Sequence, residues 1–141
     1  MFTQVGIDTN VNAISRTVYF PAQANLEYSV FMNGWGTLTG EASYTLGGLA
    51  HSNNPEVKLG AFNRIQYKNE DVDRLLQAGA TTLDADARRA MYEEAMALIM
   101  ADKAYISIVQ LQTVWAAKAG MVTFEPRYDE DTLAFFIRPA N

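Results

Sequence analysis

His51 is the only imidazole in this 141-residue chain, and there is no cysteine. Thiolate catalysis, zinc–thiolate sites and histidine-rich metal sites are therefore closed to it. A serine or threonine nucleophile needs a base that a third group holds in place. His51 opens the loop signal His51-Ser52-Asn53-Asn54-Pro55 with no evident orienting partner, and it reads as a surface loop residue. The chain has no glycine-rich phosphate loop after a strand, no H-E-x-x-H and no G-x-S-x-G. Glu70, Asp71 and Asp73 sit together where a helix begins, so they read as dipole-favoured acids rather than an acid/base pair. Asp129-Glu130-Asp131 lacks the ligand spacing and the glycine of a calcium loop, and reads as solvated surface. On these grounds no metal or cofactor is expected, and a binding module is favoured over an enzyme.

Binding chemistry points instead to Gly34-Trp35-Gly36. A large aromatic between two glycines follows the apolar run Tyr28 to Met32, which reads as a buried strand. Open α/β sheets place their ligand crevices just past the carboxyl ends of strands. The glycines permit a close backbone approach, and the indole offers a flat face with one N–H donor. The competing reading is a core tryptophan held in a tight turn.

The elements that position these residues follow from periodicity. Met1 to Gly6 reads as the last turn of a helix closed by a glycine, with its earlier turns missing, so the natural chain is expected to extend upstream of Met1. Ile7 to Ile14 alternates as a short strand. Ser15 caps a short helical or irregular crossover through Phe20 that Pro21 limits. The strand Glu27 to Asn33 completes a unit whose default pairing is parallel and right-handed. Glu41 to Ala50 reads as a helix that Gly47-Gly48 weakens, and a long loop runs on to Lys68.

Two helices carry full start signals. Asn69 caps the first, with Val72, Leu75 and Leu76 on its apolar face. Asp84 caps the second, which runs to about Asp102 with a stripe of Ala87, Met91, Ala95 and Leu98. Asp84–Arg88 and Arg89–Glu93 stand at i, i+4, and Met91, Met96 and Met100 read as core filler. Beyond Lys103 the period changes: Ala104 to Gln112, Val114 to Ala117, Val122 to Phe124 and Leu133 to Ile137 are expected as strands. Trp115, inside an apolar run, is expected in the core.

Composition agrees with one globular domain spanning 1–141: 49% hydrophobic residues, 19% charged, and a formal charge of −5. An acidic chain with no Lys/Arg stripe is not built for nucleic acid. No apolar run approaches the roughly 20 residues needed to span a bilayer, and the sequence does not open on the charged n-region and apolar core of a signal peptide.

Gly34-Trp35-Gly36-Thr37-Leu38-Thr39-Gly40-Glu41-Ala42-Ser43, then Asn63-Arg64 with Tyr67, Asn69 to Leu76 and Arg88-Arg89, resembles the C-terminal lobe of the extracytoplasmic solute-binding proteins of peptide/nickel-type ABC transporters. The tail Pro126 to Ala134 is similar to that family's C-terminus. The resemblance implies an α/β fold: part of a lobe of a periplasmic-binding-protein type II clamshell, with a mixed sheet flanked by helices. It implies a periplasmic or otherwise extracytoplasmic location, a small peptide or peptide-like solute, and delivery to a membrane permease. It carries Gly34, Trp35 and Gly36 over as cleft-lining residues, with Asn63 and Arg64 facing the same cleft. Peptide-binding members often place an aspartate for the ligand's amine where Leu38 stands here. Either Glu41 substitutes or the ligand is not a simple peptide. With the covering lobe absent, Trp35 is expected to be largely exposed, and the chain is expected to form a homo-oligomer. The alternative is a standalone α/β interaction domain; a third reading is an enzyme whose acid or serine does not stand out.

Overall fold

Helices and one small sheet supply the regular structure of the described residues. The computed structural model describes residues 2–127 and 129–140. The expectations resting on Met1 and on Tyr128 lie outside them. Contacts gather into two units, Met1–Asn33 and Gly34–Asn141, where the sequence reading treats 1–141 as one domain.

In the first unit a 3-10 turn, Phe2–Val5, closes on Gly6 at φ +82°. The Ile7 N–H reaches back to the Phe2 carbonyl at 3.1 Å, as a helix-ending turn requires. Residues 7–14 are exposed and form no strand. Helix α1, Arg16–Ala24, continues through Pro21 rather than stopping there. Its end is closed by Leu26 in the left-handed region (φ +61°), with the Glu27 N–H on the Ala22 carbonyl at 3.0 Å and the Leu26 N–H on Gln23. That double closure satisfies carbonyls that a helix end leaves open, which offsets the N–H that proline lacks. Tyr19 ties the unit together: its hydroxyl donates to the Met32 carbonyl at 2.7 Å, and its ring stacks on Tyr28. Residues 27–33 do not form the expected strand, and Val30 is 86% exposed.

The second unit is built on three helices: α2 (Ala42–Leu49), α3 (Glu70–Thr81) and α4 (Ala85–Ala101). Asn69 caps α3 by accepting from the Asp71 and Val72 N–H groups, and Asp84 caps α4 by accepting from Ala87 at 2.7 Å. The core joins Leu46 and Ala50 to Val72, Leu75, Leu76, Tyr92, Ala95 and Ile99. On α4 the buried stripe is therefore rotated from the expected one: Tyr92, Ala95 and Ile99 point inward, while Ala87 is exposed. Gly79 explains the rotation. A β-carbon there would stand 2.6 Å from the Tyr92 ring, so only glycine lets that ring lie on α3. Met91 packs against the core, but Met96 and Met100 are exposed. Arg88 does not pair with Asp84; it bridges Glu41 at 3.2 Å and the carbonyls of Thr82 and Leu83. Arg89 faces Asp86 at 3.8 Å rather than Glu93.

Beyond α4 the expected strands of 104–117 are absent. Ile106, Ile108, Leu111 and Val114 are between 67% and 86% exposed. An alternating run becomes a strand only when another strand takes its N–H and C=O groups, and among the described residues none does. The sheet consists of β1 (Val122–Phe124) and β2 (Ile137–Pro139), antiparallel with Thr123 opposite Arg138. Ala134–Phe136, expected as strand, is a 3-10 turn leading into β2. Trp115 is half-buried on this sheet, edge-on to Phe124, with its N–H on the Thr132 hydroxyl at 2.8 Å. Asp129 of the acidic trio is gripped by Arg127, and that hydrogen bond holds its carboxyl below the usual range. The described structure is thus α/β in the broad sense, helices plus a small antiparallel sheet. The mixed, helix-flanked sheet and the parallel pairing are not found among the described residues.

Candidate aromatic binding cavity

Helix α2 ends with carbonyls that need partners, and finding them shapes the site. The Leu46 carbonyl takes the N–H groups of Ala50 and His51. The Gly47 and Gly48 carbonyls accept from Gly60 at 2.8 Å and Phe62 at 3.0 Å, and the Leu49 carbonyl accepts the Tyr105 hydroxyl at 2.6 Å. Burial pushes that phenol up to about 12. The loop after α2 must therefore fold back along the helix, and Gly60 permits it. Gly60 sits at φ +71°, and a β-carbon on it would lie 2.4 Å from the His51 carbonyl oxygen.

The fold-back buries His51, which is 1% exposed and not the surface residue its sequence neighbours suggest. Its Nδ1 lies 2.5 Å from the Ser52 carbonyl, which can only accept, so Nδ1 carries the proton. Nε2 then accepts from the Gln77 amide at 2.9 Å. Asp73 accepts the Ser52 N–H at 2.8 Å, an orienting contact 21 residues away that no local pattern reveals. Sealed and doubly engaged, His51 organises the loop.

Asn63 completes that framework. Its amide donates to the His51 and Tyr67 carbonyls at 3.0 and 2.7 Å, and its oxygen accepts from the Tyr67 N–H at 3.0 Å. Tyr67 in turn donates to Asp102 at 2.6 Å, joined there by the Asn69 amide. Burial first, then that hydrogen bond, raises the Tyr67 phenol to about 12; the same bonds lower the Asp102 carboxyl.

Between α2 and the returning loop lies a cavity of ≈ 240 Å³, walled by Trp35, Tyr44, Gly48, Leu59 and Phe62 with Lys58 beside them. Trp35 is half-buried rather than largely exposed. Its ring packs on Tyr44 (5.6 Å between centroids) and edge-on to Phe62 (5.2 Å), and lies against Gly48. The paired glycines that weaken α2 in sequence thus let Trp35 and Leu59 approach the helix backbone. The indole Nε1–H is shut from solvent and lacks a hydrogen-bond partner among the described residues. Arg64 reaches over the Phe62 ring, 5.7 Å from its centroid. Gly34 and Gly36 have open space around them and take no left-handed φ.

The structure therefore brings Trp35 and Arg64 to one aromatic cluster and turns the Asn63 side chain into the loop's own hydrogen bonds. Tyr44, Lys58, Leu59 and Phe62 join Trp35 although the sequence did not single them out. The signal that could have found them is the diglycine, a sign of close packing inside a helix. Leu38 is 60% exposed, and Glu41, the other candidate for an amine, is held by Arg88. Among the described residues no three histidine or carboxylate side chains converge on a metal site, and no helix is long and apolar enough to cross a membrane.

The chain is homologous to a segment of the solute-binding proteins of peptide/nickel-type ABC transporters, as its residue pattern suggests. The relatives are glutathione-binding proteins named GsiB. That of Salmonella paratyphi A is 30% identical over 127 residues, covering 86% of this chain and 24% of the relative. Those of Shigella dysenteriae serotype 1 and Escherichia coli K12 are each 30% identical over 126 residues, with the same coverage. The chain thus spans about a quarter of the length of the curated relatives it matches. No protein-family model and no solved structure matches it.

Proposed function

We propose that this chain is part of the C-terminal lobe of a two-lobed, extracytoplasmic binding protein that captures a peptide-like solute and delivers it to an ABC permease. The observation that carries the reading is the aromatic cavity built around Trp35, in a chain homologous to glutathione-binding proteins. Solute would lie between the lobes, with Gly34, Trp35 and Gly36 on the cleft wall and Arg64 beside them; Asn63 supports that wall from behind. Closure would be a shift toward a state in which the solute touches both lobes, and the closed state is the one a permease would engage. The unpaired run 104–117 leaves apolar surface and open backbone groups, so the 141-residue chain alone is proposed to self-associate.

Calorimetry on the natural protein with di- to pentapeptides, wild type against Trp35→Ala, tests the site. Loss of a large aromatic contact should weaken binding by roughly 1–3 kcal/mol. Unchanged affinity with the fold intact would leave Trp35 a packing residue only.

A further inference from the structure

We infer that the cavity beside α2 takes an apolar residue bearing a free carboxylate, and that Lys58 is the anchor for that carboxylate. The inference rests on the solute-binding reading and adds the polarity of the solute. At ≈ 240 Å³ the cavity is smaller than the roughly 300–1,000 Å³ that encloses a whole small molecule, so it fits one side chain of a larger ligand. Three aromatic rings, Trp35, Tyr44 and Phe62, together with Leu59 make its wall apolar.

Among the described residues that line the cavity, the charged one is Lys58. Lys58 lines the cavity from the turn that the Asn54–Leu59 bridge closes. It holds a left-handed backbone, φ +56°, where glycine or asparagine is the ordinary choice. Its ammonium has no ion-pair or hydrogen-bond partner among the described residues, and Glu56 of the same turn does not pair with it. Arg64 stands over the Phe62 ring, 5.7 Å from its centroid, and is not among the residues that line the cavity. The two positions weighed for an amine offer no free carboxylate: Glu41 is on Arg88, and residue 38 is leucine. A ligand whose apolar group enters the cavity thus meets Lys58, the charged residue among the described residues that line it. In a chain of net charge −5 an unpaired lysine there selects for an acid end.

The experiment is calorimetry of the natural protein with the dipeptide Gly-Phe and with its C-terminal amide, in wild type, Lys58→Met and Lys58→Arg. Lys58 is exposed, so neither substitution threatens the fold. The acid should bind roughly fivefold more tightly than the amide, the scale of a part-exposed ion pair. That preference should vanish in Lys58→Met and persist in Lys58→Arg. Equal binding of acid and amide by wild type, or a preference that survives Lys58→Met, overturns the anchor and leaves solute capture standing. If neither dipeptide binds, the inference falls, and the wider peptide panel then decides whether the solute-binding reading falls with it.

Discussion

Gly60 and His51 face each other so closely that a β-carbon on Gly60 would lie 2.4 Å from the His51 carbonyl oxygen. The contact pins the loop against α2 and so shapes the cavity wall. Gly60→Ala would add a left-handed alanine to that clash. It should destabilise the protein by at least about 2 kcal/mol, within the range for strained backbone, measured by urea unfolding. A variant as stable as wild type would mean that the loop does not need this approach.

Asn63 is predicted to act on stability before it acts on binding. Asn63→Asp keeps the acceptor for the Tyr67 N–H but turns the two donated bonds into carboxylate–carbonyl repulsions. Buried groups left unsatisfied cost about 1–3 kcal/mol each, so thermal unfolding should shift down by several degrees. Weaker solute binding with an unchanged melt would instead place Asn63 in the cleft.

Tyr105 is predicted to set part of the alkaline limit. Its phenol lies raised at about 12 in the folded state against about 10 unfolded. A raised acid favours the folded form below the unfolded value and loses that contribution as pH climbs through the folded one. Stability should therefore fall between about pH 10 and 12. Tyr105→Phe removes this group's share of the slope, together with about 1 kcal/mol from the bond to the Leu49 carbonyl. Denaturant midpoints at pH 8, 10 and 11 for both proteins check it; parallel curves would exclude Tyr105 as a source.

Light scattering of the 141-residue chain at micromolar concentration should find species larger than a monomer. Ile106, Ile108, Leu111 and Val114 stand exposed in one run, and monomers rarely leave large contiguous apolar patches uncovered. The double substitution Ile108→Lys, Leu111→Lys should shift the population toward monomer. A clean wild-type monomer would refute self-association through this segment.

By itself the sequence determined what short-range physics decides. Asn69 and Asp84 cap their helices through hydrogen bonds to N–H groups two or three residues away. Val72, Leu75 and Leu76 share one face because the helix repeats every 3.6 residues. The tryptophan between two glycines stood out as a candidate binding element, and the order of its neighbours carried the family likeness. Tertiary structure decided the rest. Alternation marked 104–117 as strand, but a strand's hydrogen bonds come from another strand, and the period says nothing of whether one is present. His51 looked like loop surface because its neighbours are polar; the Leu46, Gly47 and Gly48 carbonyls at the end of α2 take N–H groups of that loop, which folds it inward and buries the ring. Gly47-Gly48 read as a weak point in a helix until Trp35 and Leu59 came to lie against it. Which residues face one another across such distances is set by where the chain returns, and that depends on partners remote in sequence.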